Sequence, residues 1–341
     1  MNSRIAAIAT HLPNGVVTNA DLESENPNWN MASVSKRAGV LARHIAGPGE
    51  TAFDLAKAAC DKLRSRRTVD DLDAVIFCTQ SPDHVMPSNA HLLHAHLGLR
   101  DEVAAFDINL ACSGYVYGLA IAHSMIASGV SRRVLLATAD TYSKYIHPKD
   151  RSARVLFGDG AAVSIVESTN TTAGFSSFDL ASHGKQYEKF YIPAGGHRQP
   201  KSAETAIEST DRAGNVRTPE HIRMDGMGVW SFINSAAPKQ IRRYVAKNGL
   251  SLEAIDLFIF HQASQMTLDS LIKALGVDRR KVYFNLEDVG NLVSASIPVC
   301  LAAALKEGRL QKGRRVLLSG FGVGLSYATT SFEYDGNIDV Y

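Results

Sequence analysis

The chain has 341 residues, 45% of them hydrophobic, and its 36 basic and 34 acidic residues leave a formal net charge of +2. That is an ordinary globular composition, long enough for a large core in two lobes, and its near-neutrality excludes a global attraction to nucleic acid. The N-terminal apolar run is too short for a signal peptide, and no run of about 18 apolar residues is present to span a membrane. Four cysteines, at 60, 78, 112 and 300, include no Cys-x-x-Cys pair. This argues against a structural zinc site or a disulfide framework and for a reducing cytoplasm.

In chain order, Arg4–Ala9 reads as a strand and 20–23 as a short helix start, while 24–50, with Trp29, Lys36 and Arg37, reads as loop-rich. Thr51 is placed to cap a helix running to about Leu63. Strand Ala74–Thr79 enters a proline-bounded loop, 80–87, followed by a helix bearing His91, His94 and His96. With no carboxylate at ligand spacing, these histidines read as helix-surface residues and not as a metal set.

The stretch 104–128 organises the chain. Phe106 and Ile108 belong to a buried strand, a helix of small and apolar residues begins after Cys112, and the thiol falls on the turn between them. A helix N-terminus favours an anion, so the expectation is a cysteine pKa lowered from about 8.5 toward neutrality; the alternative is a small buried hydrophobe.

Strand Val134–Ala139 follows, then Gly158-Asp159-Gly160, expected to reverse the chain tightly before strand Val163–Val166. Residues 194–221 are the most polar and irregular segment and read as a long exposed loop. A helix opening at 224–228 reaches about Lys247, with Lys239, Arg242, Arg243 and Lys247 forming a basic face. Strand Leu257–Phe260 ends in His261-Gln262-Ala263-Ser264, and Gly320-Phe321-Gly322-Val323-Gly324 closes the last strong strand. Its glycines would let backbone amides approach a reacting carbonyl.

The chain also repeats itself. Arg132-Arg133-Val134-Leu135-Leu136 recurs as Arg314-Arg315-Val316-Leu317-Leu318, 72–78 resembles 255–261, and 103–107 resembles 282–285, all at an offset of roughly 180 residues. Each half, 1–170 and 171–341, therefore alternates strands and helices in βαβαβ order, which implies α/β architecture with parallel sheets. The repeat aligns His261 with Cys78 at a strand's carboxyl end, and the Gly290-Asn291 turn with the Cys112 turn. Ligands bind outside the carboxyl ends of strands, so Cys112, His261 and Asn291 are expected in one cluster: a thiol nucleophile, an imidazole, and an amide that stabilises an oxyanion.

Ala111-Cys112-Ser113-Gly114, Phe157-Gly158-Asp159-Gly160-Ala161, His261-Gln262-Ala263-Ser264, Gly290-Asn291 and Gly320–Gly324 resemble, in order and spacing, the beta-ketoacyl-ACP synthase III family of thiolase-fold condensing enzymes, where ACP is acyl carrier protein. The resemblance implies a five-layered αβαβα homodimer that needs no cofactor. Cys112 would take an acyl group from acyl-CoA or acyl-ACP, and malonyl-ACP would then lose carbon dioxide and attack it. His261 and Asn291 match the pair that stabilises the enolate, and the amides of Cys112 and Val323 match the oxyanion hole. Arg37 and Arg151 match CoA-contacting arginines, and Gly226, Trp230 and Ser264 fall at substrate-binding positions, Trp230 being bulkier than the usual residue by the pantetheine tunnel and Ser264 standing where the family has asparagine. Met86 lies on the loop that lines the partner's acyl pocket, and Lys273 lies near the carrier-docking surface. Ser33 stands where a tryptophan often stacks on the CoA adenine, with Trp29 nearby, and Met266 where an arginine is common. These departures point to weak CoA binding or a carrier-bound donor. The alternative implied is an acyl-transfer, pyrone- or diketone-forming relative of secondary metabolism; the intact Cys112, His261 and Asn291 argue against a non-catalytic dimerisation partner.

Overall fold

The structure is a computed structural model and describes residues 2–171 and 173–341. Its first half contributes strands β1 (Asn2–His11), β2 (Ala74–Cys78), β3 (Ala104–Ile108), β4 (Arg133–Asp140) and β5 (Gly160–Thr169), with helices α1 (Met31–Ala38), α2 (Ala52–Arg64), α3 (Asn89–Leu97) and α4 (Gly114–Ala127). The second contributes strands β6 (Phe175–Ser182), β7 (Leu257–Phe260), β8 (Arg315–Gly322), β9 (Ser326–Glu333) and β10 (Asp339–Val340), with helices α5 (Gly226–Lys247), α6 (Gln265–Leu275) and α7 (Ser296–Lys306).

The first sheet has the order β10-β1-β5-β4-β2-β3 and the second β7-β8-β9-β6. The two orders superimpose as one pattern: β6 takes the place of β1, β9 of β5, β8 of β4 and β7 of β2. The equivalent of β3 is reduced to a single bridge between Val282 and Phe258, so the strand expected at 282–285 does not form. The sheets are mixed and not parallel, because β5 runs antiparallel to both β1 and β4, as β9 does to β6 and β8. The repeat extends to single contacts. The Asp73 N–H donates to the Arg133 carbonyl and its carboxylate accepts the Arg133 N–H; Asp256 does the same with Arg315.

Strand sequence dictates the layers. Along β2, β4, β7 and β8, alternate residues are buried on opposite faces. Ile76, Leu136, Ile259 and Leu318 share a central core with Leu119 of α4 and Leu301 of α7. Val75, Phe77 and Leu135 face α2 and α3 on one outer side, and Phe258, Phe260 and Leu317 face α5 and α6 on the other. The result is five layers, α-β-α-β-α. Helix α4 sits between sheets because it is small and apolar all round; a Cβ on Gly118 would lie 2.5 Å from Leu136 Cδ1. Thr51 caps α2 through a capping box with Asp54, as its sequence predicts.

Residues 24–50 are more ordered than expected. Helix α1 lies there, capped by Asn30 and ended by Gly39 at φ 72, and 42–45 pairs with 15–18 as a hairpin. Trp29 is buried against Leu22, Met31 and Val155 and is part of the core. Gly158-Asp159-Gly160 is not a tight reversal between strands. It leads directly into β5, and the Asp159 carboxylate accepts hydrogen bonds from the Ala46 N–H (2.8 Å) and the Ser143 N–H (3.0 Å). The α5 basic face is partly structural: Arg242 donates to the last carbonyls of α6, and Arg243 pairs with Asp179.

Candidate active site

The ends of β3, β7 and β8 and the 290–295 turn meet at one cavity of about 570 Å³, lined by Cys112, His261, Asn291, Phe321 and Gly322. The predicted trio is thus brought together from positions 149 and 30 residues apart.

Cys112 lies between β3 and α4, with its sulfur against β8. A Cβ on Gly322 would stand 2.6 Å from that sulfur, and one on Gly320 2.6 Å from the Cys112 carbonyl, so both glycines are required by the approach. The helix-dipole expectation fails. Burial pushes the Cys112 thiol up to about 12, outweighing the downward pull of the Val323 N–H and of its own N–H. The resting group is a thiol. Cys60, Cys78 and Cys300 are also raised by burial, but none of them lines the cavity.

His261 follows β7, its N–H donating to the Ser319 carbonyl of β8 at 2.9 Å. Burial alone lowers its pKa to about 3, so the imidazole is neutral at physiological pH. Its Nδ1 is buried without a hydrogen-bond partner among the described residues.

Asn291 is fixed by its backbone: its N–H donates to the Leu156 carbonyl (2.8 Å), and its carbonyl accepts the Gly158 N–H (3.1 Å). Its Oδ1 accepts the Val293 N–H at 2.9 Å, which leaves the Nδ2 donors for a ligand. Gly290 at φ 72 permits the turn, and Val293 is held at φ 54, a strained conformation for a β-branched residue. Two neutral donors thus face the same cavity as a buried thiol, an arrangement able to stabilise an oxyanion.

The remaining expected residues separate. Arg37, Arg151, Gly226, Trp230 and Ser264 line the cavity. Ser264 caps α6, its Oγ accepting the Thr267 N–H, whereas Trp230 Nε1 is buried with no partner among the described residues. Lys273 is exposed on α6, away from the cavity lining. Met86 is 80% exposed on the loop after β2 and does not line its own chain's cavity. His91, His94 and His96 bond separately to Ser88, the Arg100 carbonyl and Asp61, and no group of metal-ligating residues assembles among the described residues.

The polar segment 194–221 contains residues that sequence reasoning missed. Strands 209–210 and 216–217 pair, and Asp211, Asn215 and Arg217 line the cavity mouth. Arg217 grips Asp150 with Nε (2.9 Å) and Nη2 (3.2 Å), beside Arg151.

Family descriptions for 3-oxoacyl-[acyl-carrier-protein] synthase III match residues 106–184, and the corresponding C-terminal description matches residues 245–334. The chain is 35% identical over 335 residues to a beta-ketoacyl-[acyl-carrier-protein] synthase III of Caldanaerobacter subterraneus, covering 97% of each. A crystal structure of a 3-oxoacyl-(acyl-carrier-protein) synthase III aligns with a TM-score of 0.96 and 41% identity, over 98% of this chain and 100% of that one. The priming beta-ketosynthase of the R1128 polyketide pathway aligns at 0.84 and 26% identity, over 98% and 96%. With its thiolase-type layers and full-length similarity, the chain belongs to the beta-ketoacyl-[acyl-carrier-protein] synthase III family of condensing acyltransferases.

Proposed function

We propose that Cys112 is the acyl-accepting nucleophile and that His261 and Asn291 drive decarboxylation of a malonyl thioester. In the first step the Cys112 sulfur attacks an acyl thioester, with the N–H groups of Cys112 and Val323 receiving the developing oxyanion. The donor's thiol leaves with the proton, and the acyl group remains on Cys112. In the second step the carbon–carboxylate bond of the malonyl group breaks, carbon dioxide departs, and the electron pair forms a thioester enolate. His261 and Asn291 donate to its oxygen. The carbanion carbon attacks the acyl carbonyl, and Cys112 leaves, recovering a proton, as the 3-oxoacyl thioester forms.

The observation that carries this reading is the convergence of one buried thiol and two uncharged side chains on a single cavity. A neutral imidazole suits the second step, since a fixed donor stabilises an enolate without surrendering a proton to it. No resident cofactor is needed. Arg37 and Arg151 form no ion pair among the described residues and suit the phosphate of CoA or of a carrier's arm. Gly226, Trp230 and Ser264 border the arm, with the unpartnered Trp230 N–H suited to one of its carbonyls.

The carrier is an ACP, docking near Lys273, and the donor is acyl-CoA or acyl-ACP. We read the chain as two halves, 1–170 and 171–341, the first supplying Cys112 and the second His261 and Asn291. A cytoplasmic homodimer fits the unpaired edge of β3 and the exposed Val85 and Met86 beside it, Met86 then entering the partner's acyl pocket. The similarity to a polyketide priming enzyme and the exposed Ser33 favour a specialised pathway as the second reading.

Separating the half-reactions tests the assignment. Cys112→Ala should abolish acyl loading yet retain slow malonyl decarboxylation, whereas His261→Ala and Asn291→Ala should each lose decarboxylation by about a hundredfold or more. Equal decarboxylation by all three variants would refute it.

A further inference from the structure

Asp140, the last residue of β4, is fully buried, and it forms no ion pair among the described residues. All four of its partners donate. Oδ1 accepts the Gln80 N–H (2.8 Å) and the Thr79 hydroxyl (3.3 Å), and Oδ2 accepts the Ser294 N–H (3.3 Å) and the Ser294 hydroxyl (2.5 Å). Each carboxylate oxygen therefore faces one backbone N–H, which cannot turn to accept. An amide here would set its NH2 against one of those donors whichever way it was flipped.

The partners come from different halves. Thr79 and Gln80 directly follow β2 of the first sheet, while Ser294 sits in the turn that carries Asn291. Between Asn291 and Ser294 lies Val293, whose N–H orients the Asn291 carboxamide and whose φ of 54 persists only if its surroundings hold it. Ser294, the adjacent residue, is what Asp140 holds. Burial lifts the Asp140 carboxyl to about 7 against the pull of its donors, so this is a costly group where an apolar side chain would be cheaper.

We propose that Asp140 is a positioning residue for decarboxylation: by anchoring Ser294 it maintains the Val293 conformation and so aims the Asn291 amide at the malonyl thioester oxygen. This rests on the role given to Asn291 above. Asp140 does not line the cavity and acts on decarboxylation through that turn, although its charge also adds to the rise of the Cys112 thiol.

The test uses the full-length chain with malonyl-CoA as probe for carbon dioxide release and acyl-CoA as probe for loading of Cys112, followed by intact mass. Asp140→Asn should slow decarboxylation by about a hundredfold, as removal of an oxyanion donor does, while loading changes by less than about threefold. Ser294→Ala keeps one of the two contacts to Oδ2 and should fall between, near tenfold. In an Asn291→Ala background, Asp140→Asn should cost decarboxylation nothing further, because the residue it positions is gone. Equal losses of loading and decarboxylation, or additive losses in the double variant, would overturn the proposal. If Asp140→Asn does not fold, Ser294→Ala and its own combination with Asn291→Ala decide by the same criteria. An Asn291→Ala single variant with unimpaired decarboxylation would instead overturn the role of Asn291 itself.

Discussion

Gly322 and Cys112 exclude each other's side-chain space: a Cβ on Gly322 would lie 2.6 Å from the Cys112 sulfur and 2.7 Å from its Cβ. Cys112 therefore has its position because β8 passes beside it with no side chain. Gly322→Ala should lose about 1–3 kcal/mol of stability from overpacking. Because a displacement of about 1 Å can cost about a hundredfold, acyl loading should fall on that scale. Loading at the parental rate in a folded Gly322→Ala protein would show that this contact does not set the thiol's position.

The raised pKa of Cys112 gives a kinetic signature. With the thiol near 12, the thiolate fraction grows about tenfold per pH unit throughout the neutral range. Alkylation by iodoacetamide should rise with that slope from about pH 7 to 10 and should reach Cys112 before Cys60, Cys78 or Cys300, which lie outside the cavity. A plateau near neutrality would mean that the helix N-terminus governs the thiol after all.

Stability should also report His261. Its folded pKa, about 3, is below the ordinary 6.5, so the unfolded chain takes up a proton first as pH falls. The neutral imidazole is fully tolerated above pH 6.5, and stability is lost progressively as pH drops from there toward 3. Between about pH 6.5 and 5 the loss should approach 2 kcal/mol. Because His11, His123 and His221 are lowered by burial as well, denaturant titrations at both pH values should show about that much more loss in the parent than in His261→Gln; parallel curves would contradict the burial argument.

The sequence made the pseudo-repeat legible because the Arg-Arg-Val-Leu-Leu copies are local, and it made the Cys112, His261 and Asn291 grouping legible because the repeat puts each at an equivalent strand end. Strand direction was not legible. Nothing within β5 states that it runs antiparallel to β4, since that depends on how the chain returns through 141–159. Helix α1 had readable caps in Asn30 and Gly39, but it is only eight residues long and polar on average, with Met31, Val34 and Ala38 as its inward positions. The mouth residues Asp211 and Arg217 were hidden because Asp150, which holds Arg217, is 67 residues away. The thiol pKa followed burial by β8, a contact 210 residues distant in sequence (112 to 322), and not the adjacent helix.

Docking at Lys273 would separate substrates by their carrier. Lys273 is exposed and forms no ion pair among the described residues, so Lys273→Glu should raise KM for carrier-bound malonate, with a penalty that shrinks as salt screens charge over about 8 Å. A pantetheine-length thioester should be used as before. Trp230→Phe removes one buried donor and should raise KM about fivefold for both substrates with kcat little changed, the worth of about 1 kcal/mol. If Lys273→Glu impaired both substrates equally, the docking assignment would be wrong.

The most direct test of the central claim is peptide-level mass mapping after incubation of the parent protein with acyl-CoA and, separately, acyl-ACP. The account predicts one thioester-linked acyl group, cleaved by hydroxylamine and located on Cys112, formed normally by Asn291→Ala and absent from Cys112→Ala. An acyl group on Cys60, Cys78 or Cys300, or one that persists in Cys112→Ala, would contradict it.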